Sequence, residues 1–270
     1  MHCLDPLVAL VVALCGLVIG VISGMFGIGG GMMIVPLFNL VFGLPMVSAT
    51  STSLFTIVPT ALSGAYKHMR QKTVHFKMGL ITGAAGAVLS VFGALIADKL
   101  PELTLVILAA AIICYSSITM LVNARRKPAE KPAENEDLAV GAQAQDKPSA
   151  SIPLILALGS IAGLMAGLIG IGGGFIIVPF CVVYLKFSMK EAAGTSLLAI
   201  SIIAIPGIIT HALLGQIEWI YGLALVVGTI PGAQIGAWLA AKLPDRPLRV
   251  AFGILLLITG TLLLINNIGA

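Results

Sequence analysis

The chain has 270 residues, of which 59% are hydrophobic and 10% charged, and its mean hydropathy is +1.09. A soluble domain carries about 25% charged residues, so this composition excludes a soluble enzyme and a nucleic-acid binder. The net charge is only +4, and four scattered cysteines (Cys3, Cys15, Cys114, Cys181) show neither a CxxC pair nor partner spacing, so neither a disulfide framework nor a metal site is indicated.

About 20 helical residues cross the roughly 30 Å hydrocarbon core of a bilayer. In chain order, apolar runs at 7–23, 26–42, 49–66, 75–97 and 102–122 predict five segments, the first two short and broken by glycine. Met1–Pro6 carries Asp5 and no basic residue, so the first run is kept as a mature segment rather than a signal peptide. Residues 123–152 hold ten of the 26 formal charges among Ala, Pro, Glu and Gln, which predicts a linker unable to bury a core. Runs at 153–168, 169–185, 192–212, 217–241 and 247–268 then repeat the pattern. The other sixteen charges fall at run ends, as expected where a central charge costs several kcal/mol.

The two halves align without a gap at an offset of 143 residues. GMFGIGGGMMIVP at 24–36 lies over GLIGIGGGFIIVP at 167–179, identical at nine of thirteen positions. The same offset pairs Thr52-Ser53-Leu54 with Thr195-Ser196-Leu197, Gly64 with Gly207, His68 with His211, and Lys99-Leu100-Pro101 with Lys242-Leu243-Pro244. The predicted organisation is therefore a first membrane repeat at 1–122, a linker at 123–152 and a second repeat at 153–270.

Lys67, Arg70, Lys72 and Lys77 mark the loop at 67–77 as cytoplasmic. Counting outward, the linker and the loops at 186–191 and 242–249 also come out cytoplasmic. An odd number of segments per half makes the second half enter from the opposite side. The predicted fold is all-α and polytopic: two inverted-topology repeats of about five hydrophobic segments each, with glycine-broken or re-entrant helices.

Short glycine-interrupted segments at matching positions of two halves point to a transporter binding site. Gly-Ile-Gly-Gly-Gly resists regular helix, and a break at depth leaves helix N-termini with unpaired N–H groups and partial positive charge. Such ends bind anions without a cation. No run has Lys or Arg near its centre, so a buried anion needs these dipoles with hydroxyls and amides. No mid-membrane Asp or Glu supports a carboxylate proton relay.

Close helix packing is the plainer account of Gly24, Gly27, Gly83, Gly86 and Gly93. A broken-helix site is favoured for Gly29, Gly30, Gly31 and for Gly172, Gly173, Gly174, because the triplet occurs twice. Thr52, Ser53, Thr195 and Ser196 cap helix starts or donate to an oxyanion, and both readings stand. Pro36 and Pro179 stop or kink the short segments. His68 and His211 should lie near opposite faces, as polar interfacial residues or in a gating or proton-linked role. Gln234 is either an interhelical hydrogen-bonder or a cavity-lining amide. Trp219 and Tyr221 suit interfacial anchoring, and Tyr115-Ser116-Ser117 an exit path.

The doubled Gly-x-x-Gly-Ile-Gly-Gly-Gly-x-x-Ile-Val-Pro motif, the Thr-Ser-Leu after each copy, and the mid-chain hydrophilic linker resemble the TauE/SafE sulfite exporter family, also called the 4-toluene sulfonate uptake permease family. The resemblance implies a multi-pass carrier of the bacterial inner membrane for sulfite, sulfoacetate or another organosulfonate. It carries the family motif onto Gly29–Gly31 with Thr52 and Ser53, and onto Gly172–Gly174 with Thr195 and Ser196. The expected function is secondary transport, as export, by alternating access in which the halves rock about a midplane site. The alternative is a passive anion or small-solute channel on the same fold. An intramembrane enzyme would need a nucleophile–base pair or metal cluster that the sequence lacks. The expected partners are a small anion and the lipid bilayer, with no cofactor, no metal and no nucleic acid; a homo-oligomer stays open.

Overall fold

The structure, a computed structural model, describes residues 6–97, 99–125 and 151–268. Its helices are α1 Pro6–Phe26, α2 Gly31–Pro36, α3 Met46–Arg70, α4 Phe76–Ala97, α5 Glu102–Arg125, α6 Ile152–Ile169, α7 Gly174–Val183, α8 Met189–Leu213, α9 Trp219–Lys242 and α10 Asp245–Ile268. A π-helical turn, Leu37–Val41, extends α2. No strand occurs among the described residues. The linker expected at 123–152 lies outside them from 126 to 150.

Among the described residues, five helices are long and apolar enough to cross a membrane: Val8–Phe26 in α1, α4, α6, α8 and α9. The 25-residue α3 is the less apolar counterpart of α8. It carries a buried line of hydroxyls at Thr52, Ser53, Thr56 and Thr60. Thr56 donates to the Ser53 carbonyl at 2.8 Å and Thr60 to the Thr56 carbonyl at 2.7 Å. Part of the cost of burying these polar groups is thus met inside the helix itself.

Every sequence run has its helix, but α1 and α6 are unbroken over 21 and 18 residues. The interruption lies after them, so only the second element of each repeat is short.

Neighbouring helices do not follow the division into sequence halves. α1 packs along α9, and α4 along α6. Glycines make both contacts. A Cβ at Gly16 would stand 2.5 Å from the Leu225 carbonyl oxygen, and one at Gly20 would stand 2.5 Å from that of Thr229. Gly24, Gly228 and Gly236 press onto the backbones of Ala233, Ala13 and Val21. The matched contact sets Gly159, Gly163 and Gly167 against Thr82, Gly86 and Ser90. Lipid tails are as apolar as leucine, so helices in a bilayer associate by such close packing.

These contacts advance in the same direction along both helices, so α1 and α9 run parallel, as do α4 and α6. α3 joins the first pair through Thr60–Thr229 at 2.6 Å and Ser63 to the Ile230 carbonyl at 2.9 Å. α8 joins the second pair, with Leu198, Ile202 and Ile203 against Gly79, Gly83 and Gly86. The two trios meet where α3 and α8 cross antiparallel, Leu54 beside Gly207 and His68 beside Gly194. α5 and α10 form a separate antiparallel pair, joined by Ser117 donating to the Gly253 carbonyl at 2.7 Å.

The basic loops converge on one end of the molecule. Lys190 donates to the Ala241 carbonyl at 2.8 Å, the Met189 N–H to Asp245 at 3.1 Å, and Gln71 to the Ala237 carbonyl at 3.2 Å. The His75 ring stacks on Phe187 at 4.2 Å. Segments 67–77, 186–191 and 242–249, all expected on the cytoplasmic side, therefore share a face.

Candidate functional site

The two glycine runs break their helices through backbone conformation. Gly27, Gly29 and Gly30 have φ of +77°, +74° and +88°; Gly170, Gly172 and Gly173 have +72°, +85° and +72°. Left-handed residues end α1 and α6, and Gly30 and Gly173 then cap α2 and α7. The carbonyl of Gly30 takes the N–H groups of Met33 and Ile34, and that of Gly173 takes Ile176 and Ile177. The N–H groups of Gly31, Met32, Gly174 and Phe175 find no acceptor among the described residues, as expected for the first turn of a helix without a side-chain cap.

The two breaks meet each other. A Cβ on Gly31 would stand 2.8 Å from the Gly170 carbonyl oxygen, and one on Gly174 would stand 2.7 Å from that of Gly27. Ile57 of α3 and Ile200 of α8, themselves 143 residues apart, flank the junction. Positions Gly29 and Gly172 each face both isoleucines at 3.1–3.3 Å. All ten residues of 27–31 and 170–174 are buried. The residues expected to line a midplane cavity are thus together, but packed against one another and against Ile28, Ile57, Ile171 and Ile200.

Serines tie each break to the opposite trio. Ser53 donates to the Gly170 carbonyl at 3.1 Å, and Ser196 to the Gly27 carbonyl at 2.8 Å. Thr50 adds a contact to the Ile169 carbonyl at 3.3 Å, where the second repeat has Ala193. Thr52 and Thr195 serve other ends. Thr52 accepts the N–H of Glu218 before α9, and Thr195 accepts that of His75 before α4, each at 3.0 Å.

His68 and His211 are both buried within the protein. His68 Nε2 donates to the Gly24 carbonyl at 3.0 Å, with Nδ1 3.0 Å from the Thr73 hydroxyl. His211 Nδ1 lies 2.7 Å from Gln216 Oε1. The antiparallel crossing of α3 and α8 sets the two rings at opposite ends of the seam. Gln234 falls on the exposed face of α9, so the structure does not bring it to the glycine breaks. This corrects its expected place: it follows Ala233, which packs against Gly24, and its side chain turns outward.

Two grooves flank the breaks. One, of about 510 Å³, lies between α1 and α2 and includes Leu14, Val18, Met33, Pro36, Leu37 and Val41. The other, of about 210 Å³, is its counterpart in the second repeat, with Ile161, Ile176, Pro179, Phe180 and Tyr184. Tyr115, Ser116 and Thr119 of α5 close the second groove, whereas no described side chain of α10 lines the first. Both stop short of the triple glycines.

Sequence reasoning missed Ile57, Ile200, Thr56, Thr60, Thr229 and Ser23. Ile57 and Ile200 were detectable as an identical pair at the offset. Ser23 is fully buried and its hydroxyl has no partner among the described residues, but nothing in the sequence distinguishes it.

Ten helices among the described residues, five of them long and apolar enough to cross a membrane and two of them short and starting at glycine breaks that meet in an uncharged centre, define a multi-pass membrane protein of the transporter class. The sequence profile of the family "Sulfite exporter TauE/SafE" matches residues 12–263, and the chain belongs to that family. It is 31% identical over 246 residues to the probable membrane transporter protein YdhB of Bacillus subtilis, covering 91% of this chain and 96% of the relative. It is 28% identical over 271 residues to YunE of the same organism, covering 96% and 98%. The probable membrane transporter protein MJ0441 of Methanocaldococcus jannaschii is 26% identical over 265 residues, with 93% of each chain covered. No solved structure matches the chain.

Proposed function

We propose that the protein is a secondary transporter that exports a small sulfur-containing anion, such as sulfite, sulfoacetate or another organosulfonate. The observation that carries this reading is the set of four buried N–H groups, on Gly31, Met32, Gly174 and Phe175, that have no acceptor among the described residues. They belong to two short helices that start against each other, where the helix dipoles concentrate positive potential. A sulfonate or sulfite ion offers several acceptor oxygens at low charge, which matches several neutral donors better than one lysine would. Ser53 and Ser196 stand at the same junction and can turn their hydroxyls to the ion once the breaks part.

A carrier fits this centre better than a passive channel does. The breaks are filled by each other and by four isoleucines, so the ion gains access only when they separate, as alternating access requires. The loops at 67–77, 186–191 and 242–249 then face the cytoplasm.

Purified protein in proteoliposomes should show saturable flux of sulfite or sulfoacetate, with counterflow. Gly30→Ala and Gly173→Ala should depress that flux when it is normalised to the amount of folded protein reconstituted. Absence of saturable flux of sulfite, sulfoacetate and toluenesulfonate alike would defeat the cargo assignment. Normal flux in both variants would defeat the placement of the site.

A further inference from the structure

We infer that the bodies that move during transport are not the two sequence halves but two trios of helices that each draw on both halves: α1, α3 and α9, against α4, α6 and α8. This deepens the transport reading and rests on it. It replaces the rocking of one half against the other, because α4 and α9 have changed sides.

Within each trio one pair of helices meets backbone to backbone, and the third helix joins through side chains, Leu198, Ile202 and Ile203 of α8 on α4 and Thr60 of α3 on α9. α1 and α9 meet through Gly16, Gly20 and Gly24 on one helix and Gly228, Gly232 and Gly236 on the other. α4 and α6 meet through Gly86 and Gly93 on one and Gly159, Gly163 and Gly167 on the other. Helices joined in this way have no side-chain layer to slide on, and any shift meets a carbonyl. Hydrogen bonds add to the hold. The first trio has Thr60–Thr229 at 2.6 Å, Gln71 to Ala237 at 3.2 Å and His68 to Gly24 at 3.0 Å. Thr52 and Thr195 repeat the device, each fastening an exchanged helix to its adopted trio.

Away from the glycine junction the contacts between the trios are of another kind; at the junction itself Gly27 abuts the Ala193 backbone, Gly170 abuts that of Thr50, and Thr50, Ser53 and Ser196 donate hydrogen bonds across. Leu54 and Leu197 reach across with flexible tips toward Gly207 and Gly64, at 3.5 and 2.9 Å from a would-be Cβ. Ile57 and Ile200 meet both breaks through side-chain methyls. Side chains change rotamer and let surfaces shift, so this seam is where the molecule can part once the Thr50, Ser53 and Ser196 hydrogen bonds across it are released. The seam passes through the glycine junction, so its opening separates the two helix starts.

The α5–α10 pair lies outside both trios. Its fit is unequal: α5 closes the groove on α7, whereas no described side chain of α10 lines the matched groove on α2.

The test uses Leu10 of α1, Leu223 of α9 and Ile209 of α8, which are 57%, 56% and 56% exposed. All three lie toward the end of the bundle opposite the basic loops. Spin labels are carried on a ketone-bearing amino acid, so the native cysteines stay in place. Distances are measured by electron double resonance in nanodiscs, with and without sodium sulfite. Leu10–Leu223 joins different sequence halves within one trio and should give one distance population. Leu223–Ile209 joins different trios within one half and should give two populations, or one that shifts with sulfite. Two populations at Leu10–Leu223 overturn the inference, and so does a single unmoving population at both pairs. The distances require no flux, so unit motion without sulfite transport would sink the cargo assignment and leave the inference standing.

Discussion

Gly30 and Gly173 are equivalent in sequence, yet replacing each with alanine should cost different amounts. Both sit in left-handed backbone, at φ of +88° and +72°. An L-residue pays about 1–2 kcal/mol to stay there. At Gly30 that is most of the cost. The new methyl would meet only side-chain tips, Ile19 Cγ2 and Ile34 Cδ1, both at 3.3 Å. At Gly173 the methyl would stand 2.8 Å from the Ala162 carbonyl oxygen and 3.2 Å from its Cβ. That oxygen belongs to helix α6 and cannot swing aside, so overpacking adds about 1–3 kcal/mol. Gly173→Ala should therefore destabilise by roughly 2–5 kcal/mol and Gly30→Ala by roughly 1–2. Gly29 and Gly172 supply the control, since their surroundings match, and their alanine variants should lose equal stability. The assay is reversible unfolding in mixed micelles titrated with SDS and followed by circular dichroism. If Gly173→Ala proves no more costly than Gly30→Ala, the account of the breaks through local contacts is wrong.

A double-mutant cycle on Thr60→Val and Thr229→Val, in the same assay, should return a coupling of about 0.6 kcal/mol and at most ~1.7; a value of zero would mean that this hydroxyl pair does not join α3 to α9. Ser188 caps α8 in a capping box with Glu191, so Ser188→Ala should cost about 1 kcal/mol. Faster amide exchange in the first turn of α8 is the local signature, and unchanged exchange at Glu191 and Ala192 would contradict it.

Helix positions were the most legible part of the fold, because hydrocarbon excludes charge and glycine interrupts helices whatever the tertiary contacts. The run at 75–97 became α4 at Phe76–Ala97, and that at 192–212 became α8 at Met189–Leu213. The offset of 143 residues carried over into contacts: Ser53 meets Gly170 as Ser196 meets Gly27. What the sequence left hidden was which helix lies beside which. Hydrophobicity says that a segment is in the bilayer but is blind to its neighbour, since every face is apolar. A clue was present in the four-residue spacing of Gly16, Gly20 and Gly24, repeated at Gly159, Gly163 and Gly167. Such a stripe declares a close partner without naming it. Gln234 was misplaced for the same reason, because a lone amide in an apolar run carries no mark of the side it faces. The buried state of His68 and His211 depended on loops that fold back over them, through Thr73 and Gln216.

The exchange of α4 and α9 has a bearing on how the polypeptide comes into being. When the ribosome has delivered the first five helices, α1 and α4 still lack the companions against which their glycines close. Those grooved faces must wait in lipid, or under a chaperone, until α6 and α9 arrive. Neither repeat is therefore a self-sufficient folding piece. A single-repeat forerunner of this chain would have needed two copies, set antiparallel about a two-fold axis, lending each other a helix.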